Sequence, residues 1–183
     1  MSLMNKDLNE IQRYDQEDYD KKIDAAVLVL IFGDPPKTLM VRKNCNVSGR
    51  FSCDLAFPGG HKKKNENFVD AALREAWEEA WVFPKFVKII GFMDIHETVS
   101  KPVVKVLPVL GVLKGPIETK PRDAEVDYSI WVNLDLINDA KLVYHPIRGY
   151  VNGILLPGNL IIWGLSLRII NDLKGFINKQ VLY

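Results

Sequence analysis

The chain has 183 residues, 48% of them hydrophobic and 26% charged. That is enough apolar material for a folded core and the wrong balance for a disordered or fibrous protein. Its 24 Lys and Arg stand against 23 Asp and Glu, a net charge of +1, which provides no field for condensing on nucleic acid. The longest apolar run, Ala25 to Phe32, is far below the roughly 18–20 residues of a membrane span. Cys45 and Cys53 are too few for a disulfide framework and fit a reducing, cytoplasmic setting.

Residues 1–22 read as an N-terminal arm or short helix, with Leu8, Ile11 and Tyr14 scattered among polar side chains and no export-signal pattern. Residues 23–183 read as a single domain. Ala25 to Phe32 and Thr38 to Arg42 are predicted as a strand pair around Gly33-Asp34-Pro35-Pro36. Asp54 to Phe57 is a third short strand, ended by Pro58-Gly59-Gly60, and a helix follows over residues 66 to about 80. Strands are expected at Val87 to Ile95, Val103 to Leu113 and Val126 to Val132, where β-branched residues dominate. Asn133 is placed as the cap of a short helix over Leu134 to Ala140. Asn159 to Ile177 carries Ile161, Leu165, Ile169 and Leu173 at helical spacing. Strands interleaved with helices imply a layered α/β or α+β domain.

The helix after Gly60 carries the chemistry. At 100° per residue, setting Glu75 at 0° puts Glu79 at about 40° and Glu78 at about −60°. Ala72, Ala76 and Ala80 fall on the adjacent arc and let the helix approach a sheet closely. The carboxylates then form one stripe at the rim of a cleft. Like charges at this spacing are unfavourable by about 0.2–0.5 kcal/mol per pair, and acids near a helix C-terminus oppose its dipole. A divalent cation with a preference for hard oxygen ligands, Mg²⁺ or Mn²⁺, removes the conflict. A solvated acidic face with Arg74 and nearby lysines as counter-charges is the alternative.

Over its whole length the stretch resembles the Nudix box, G-x5-E-x7-R-E-U-x-E-E-x-G-U with U apolar, at Gly60, Glu66, Arg74, Glu75, Ala76, Glu78, Glu79 and Val82. Trp81 stands in place of the last glycine, where glycine normally lets the helix end in a left-handed turn, so the helix exit is left open. The resemblance implies an α+β fold of the Nudix type, an α/β/α sandwich with a mixed central sheet. It also implies hydrolysis of a nucleoside diphosphate linked to another moiety, with Mg²⁺ or Mn²⁺ as cofactor. Carried over residue by residue, Glu78 and Glu79 are metal ligands and Glu75 is a further ligand or the group activating water. The Gly59 carbonyl approaches a metal, and Gly60, Glu66 and Arg74 give structural support.

A second resemblance, to the coenzyme A diphosphatase branch, rests on Phe57-Pro58-Gly59-Gly60, Val106 to Gly111, Ala124-Glu125-Val126 with Ile130-Trp131-Val132, and Ile162-Trp163-Gly164. That branch's upstream fingerprint, L-L-T-x-R-S-x3-R-x3-G, is met at Leu39 and Arg42. Lys43 stands where the serine belongs, Arg50 is one residue off, and Cys53 takes the glycine position. The expected substrate is a small nucleotide-type molecule, coenzyme A or its thioesters first. ADP-ribose, NADH or a nucleoside triphosphate is the alternative, and a non-catalytic Nudix-fold binding module is a further one. Arg42, Lys62, Lys63 and Lys64 are candidate substrate contacts, the lysines for a 3′-phosphate, and Glu125 is a candidate acid from outside the box. Neither a nucleic-acid nor a membrane partner is expected, and a homodimer is left open.

Overall fold

The Ala25–Phe32 run is apolar on both faces because it lies in the middle of a mixed sheet with a helix layer on each side. The computed structural model describes residues 23–46, 53–99 and 101–181, with side chains as far as Ile177. In chain order the strands are β1 (Ala25–Phe32), β2 (Lys37–Lys43), β3 (Leu55–Ala56), β4 (Gly59–His61), β5 (Val87–Phe92), β6 (His96–Glu97), β7 (Lys105–Leu113), β8 (Val126–Asn133), β9 (Lys141–His145), β10 (Gly149–Leu156) and β11 (Leu160–Trp163). The helices are α1 (Phe68–Ala80) and α2 (Gly164–Val181).

One edge of β1 runs parallel to β7 from Ala25↔Val106 to Ile31↔Val112. Its other edge is shared. Phe32 and Ile31 pair with β2, whereas Ala25 to Val27 pair with β4. β2, after parting from β1, pairs with β3 on that side and with β8 along its other edge. The segment from Asp54 to Gly60 therefore enters a split between β1 and β2. It is held by Lys43 N–H on the Asp54 carbonyl at 2.9 Å and Leu28 N–H on the Pro58 carbonyl at 2.8 Å. This split puts the Gly59-Gly60 loop at the mouth of the sheet.

α1 closes one face. Phe68, Ala71, Ala72, Ala76 and Ala80 pack with Leu28, Leu30, Leu39 and Val41, and each buried leucine contributes about 1.5–3 kcal/mol. Asn67 starts the helix, its side chain accepting from Asp70 N–H at 2.8 Å. At the other end Trp81 takes the left-handed conformation itself, with φ 61° and ψ 28°. Val82 N–H reaches the Ala76 carbonyl at 3.2 Å, so the exit is the one a glycine would make. The cost of that backbone, about 1–2 kcal/mol without glycine, is offset by stacking. Phe83 lies 5.4 Å from the Trp81 ring, Lys120 Nζ 4.5 Å and the Arg122 guanidinium 4.3 Å.

α2 covers the opposite face with Leu167, Ile169, Ile170 and Leu173 against Val29, Ile31 and Met40. The helix expected from Asn159 begins only at Gly164. Residues before it belong to a separate antiparallel sheet of β9, β10 and β11. Pro157-Gly158-Asn159 turns the chain, with Gly158 and Asn159 at φ +77° and +58°, so Ile161 is a strand residue despite its helical spacing to Leu165. The expected helix over Leu134 to Ala140 shrinks to a 3₁₀ turn at Leu134–Leu136, capped by Asn133. Contrary to the reading of two reduced cysteines, Cys45 and Cys53 form a disulfide. β2 and β3 are antiparallel neighbours, which brings the two ends of their connection together with Cα atoms 4.5 Å apart. The expected arm over residues 1–22 lies outside the described residues. No helix among the described residues is long and apolar enough to cross a membrane.

Candidate active site

Gly59 and Gly60 are wedged between β1 and α1. A Cβ on Gly59 would fall 2.5 Å from the Ala26 carbonyl oxygen, and one on Gly60 would fall 2.5 Å from Glu75 Oε1. At Gly59 only glycine lets the loop lie this close to the β1 backbone, while at Gly60 the neighbour is the flexible end of Glu75. α1 brings Glu75 against Gly60 and Glu79 against Gly59, and Arg74 joins Glu78 to Glu75. Arg74 Nη1 donates to Glu75 Oε1 at 2.6 Å and to Glu78 Oε2 at 2.9 Å, and Gly59 N–H donates to Glu79 Oε2 at 3.3 Å. The other guanidinium nitrogens hold Glu66: Nε on Oε1 at 2.7 Å and Nη2 on Oε2 at 3.0 Å. Glu66 also accepts Lys63 N–H at 2.9 Å. Arg74 thus ties the loop to the helix and screens the carboxylate stripe.

Four carboxylates share this corner, and the cations in contact with them are the chain's own. Arg74 meets Glu66, Glu75 and Glu78, Lys63 Nζ lies 3.6 Å from Glu78 Oε1, and Lys43 Nζ sits on Glu79 Oε1. Hydrogen bonding to Arg74 pulls the Glu66 carboxyl below its ordinary range, against some desolvation. Burial pushes Glu79 up to about 7, although Lys43 and the Gly59 N–H pull the other way. Among the described residues no three His, Cys, Asp or Glu side chains are already gathered to hold a metal ion. Each carboxylate leans on a cation instead. A set of carboxylate oxygens fits a hard divalent cation, and Glu75, Glu78 and Glu79 are the residues that could hold one once their own cations yield.

The residues outside the box divide. Lys63 reaches the stripe and Lys64 is exposed, while the Lys62 amide bonds the Asp24 carbonyl at 3.2 Å. Glu125 is exposed, and its carbonyl accepts Asn44 N–H at 2.8 Å beside the end of β2. Arg42 lies elsewhere. Along β2, Leu39 and Val41 pack on the α1 side and Met40 on the α2 side, so alternation sends Arg42 to the α2 side and Lys43 to the α1 side. Arg42 Nη2 approaches Cys45 Sγ at 3.4 Å, away from the carboxylates. Lys43 is the residue missed in the sequence, and that same alternation could have found it. His96 Nε2 lies 2.9 Å from Asp172 Oδ2 of α2.

A second polar cluster lies on the α2 side, just upstream of Phe57. Asp54 is buried, accepts Trp163 Nε1–H at 3.1 Å and lies 3.3 Å from His145 Nε2. His145 Nδ1 accepts the amides of Ile147 and Arg148, each at 3.2 Å, so Nε2 carries the ring proton. Asp54 also lines a cavity of about 210 Å³ with Ala56, Thr98, Arg148, Trp163 and Arg168. Burial lifts its carboxyl from 3.8 to about 6, against the pull of Trp163, Arg148 and Arg42. The folded chain therefore holds this proton more tightly than the unfolded chain, and stability falls as pH rises from about 4 to about 6. Asp54→Asn keeps the acceptor for Trp163 and removes that dependence. Thermal melts across this window should show the variant gaining on the native protein by up to about 3 kcal/mol.

A family model described as NUDIX domain matches residues 22–150. A protein of Pectobacterium atrosepticum named uncharacterized Nudix hydrolase NudL is 30% identical over 166 residues, covering 85% of this chain and 83% of that one. One of the same name from Cronobacter sakazakii is 29% identical over 164 residues. Among solved structures, the M. smegmatis Nudix hydrolase RenU matches with a TM-score of 0.60 at 18% identity, over 86% of each chain. A C. elegans Ap4A hydrolase matches with a TM-score of 0.51 at 21% identity, over 62% of this chain and 81% of that one. These structures share the fold, an α+β Nudix sandwich with a mixed sheet. The chain belongs to the Nudix family and is a hydrolase of pyrophosphate bonds in nucleoside diphosphate derivatives.

Proposed function

We propose that the enzyme cleaves the diphosphate of coenzyme A or its thioesters, giving 3′,5′-adenosine bisphosphate and a phosphopantetheine. The observation that carries the reading is the approach of Glu75 to Gly60 and of Glu79 to the Gly59 amide at the split in the sheet, with Arg74 joining Glu78 to Glu75 beside them. A divalent ion, when bound by these carboxylates and the Gly59 carbonyl, would neutralise the diphosphate, polarise a phosphoryl oxygen and acidify water. The chain's own residues do the rest. Arg74 and Glu66 fix the loop on the helix, so that the carboxylate stripe and Gly59 keep one geometry. Glu75, packed on Gly60, would either complete the ion's ligand set or accept a proton from the attacking water. In the reaction a new P–O bond forms at one phosphorus, the bridging P–O bond breaks, and its electron pair leaves with the other phosphate.

The substrate reading is supported by the coenzyme A branch resemblance and by Lys63, whose Nζ lies 3.6 Å from Glu78 Oε1. The cavity beside Asp54 is a candidate for the remainder of the molecule. It is lined by Ala56, three residues from Gly59, a span of about 10 Å in extended chain. Incubation with Mg²⁺ and coenzyme A, dephospho-coenzyme A, ADP-ribose or NADH, with products identified by mass spectrometry, tests the reading. Coenzyme A should be cleaved fastest, and dephospho-coenzyme A should be the poorer substrate. Turnover of ADP-ribose with none of coenzyme A would overturn the substrate while leaving the chemistry in place.

A further inference from the structure

Lys43 is the last residue of β2 and pairs with Val126, next to an irregularity in the β2–β8 register between Arg42 and Lys43. Its side chain shares the α1 face with Leu39 and Val41 and ends on Glu79 Oε1. The two side chains are only 14% and 6% exposed, so water does little to screen the pair. The other oxygen of Glu79 accepts the Gly59 amide at 3.3 Å. Both carboxylate oxygens are thus engaged by donors of the protein.

Arg74 differs from Lys43 in this respect. It touches Glu75 and Glu78 through Nη1 alone while Nε and Nη2 are anchored on Glu66 and His61, so it can stay in place when Nη1 yields a carboxylate. Lys43 meets the stripe with its single ammonium. An ion coordinated by Glu79 would have to share one buried oxygen with that ammonium, and two cations at such a distance repel strongly where water is excluded.

Resting on the metal-site reading above, we propose that Lys43 is an internal competitor for the divalent cation. Its ammonium neutralises Glu79 when no ion is held there, must be lifted off when an ion binds, and thereby sets the affinity of the site. The position matters because Lys43 is where the coenzyme A fingerprint calls for serine. A neutral residue there would leave Glu79 uncompensated and the site more strongly attracting.

The test uses the full chain stripped with EDTA and titrated with Mn²⁺ alone, free Mn²⁺ being counted by electron paramagnetic resonance. Lys43→Met keeps the aliphatic stem and removes the charge, and should bind Mn²⁺ tenfold or more tightly than the native protein. Lys43→Arg should stay near the native affinity. Adding Glu79→Gln to both backgrounds should erase the difference between them. A second readout needs no variant: on Mg²⁺ addition to the native protein, trace acylation of Lys43 followed by mass spectrometry should rise severalfold relative to the other lysines. Equal or weaker Mn²⁺ binding by Lys43→Met, or unchanged acylation of Lys43, would overturn the competitor role while leaving the metal site standing. Absence of Mn²⁺ binding by both native and Lys43→Met proteins would remove the metal site and the competitor together.

Discussion

Glu79→Gln is expected to lower turnover by more than roughly a hundredfold, since even partners that merely orient metal ligands cost about 10–100-fold when changed. The expectation rests on position. Glu79 is 4% exposed, lies between Lys43 and the Gly59 amide, and has its carboxyl lifted to about 7 by burial. Glutamine preserves shape and an acceptor oxygen, so circular dichroism should change little, while loss of the charge that faces the buried Lys43 ammonium lowers the melting temperature without unfolding the chain. Rate measurements at saturating Mg²⁺ separate this from an effect on folding, and near-native turnover there would remove Glu79 from the chemistry.

Arg74→Met is expected to act first on the fold. The guanidinium is 17% exposed and ion-paired with Glu66, Glu75 and Glu78. Removing one partner of such a cluster leaves mutually repelling, partly buried carboxylates, at a cost of about 3 kcal/mol. For a chain of this size that lowers the melting temperature by roughly 6–12 °C. Mg²⁺ should restore part of the loss by supplying the missing positive charge, an effect that differential scanning calorimetry with and without the ion would read. A melting temperature within a degree of the native value would show that Arg74 does not brace the loop.

The site was legible where periodicity alone decides direction. Glu75, Glu78 and Glu79 are separated by fixed helical angles, and the alanines beside them admit a close-packed face, so their position on one side of the helix follows from spacing. Long-range pairing was not legible. Which strand fills the split between β1 and β2 depends on contacts remote in sequence, and with it the placement of Gly59 against Ala26. The β9–β11 sheet was missed because Ile161, Leu165 and Ile169 also satisfy a helical period, and only the turn at Pro157-Gly158-Asn159 distinguishes the two. Lys43 lay between these cases. Its direction follows from strand alternation, but its partner Glu79 lies 36 residues away on an element whose distance from β2 only the fold reveals.

The most direct single measurement is hydrolysis of coenzyme A in H₂¹⁸O with Mg²⁺, followed by mass spectrometry of the phosphate-bearing products. Cleavage at the diphosphate should yield 3′,5′-adenosine bisphosphate and phosphopantetheine, with one ¹⁸O in one of the two and a rate that collapses in Glu79→Gln. Unlabelled products, cleavage at the thiol or the 3′-phosphate, or turnover unaffected by Glu79→Gln would contradict hydrolysis of the diphosphate at the box carboxylates.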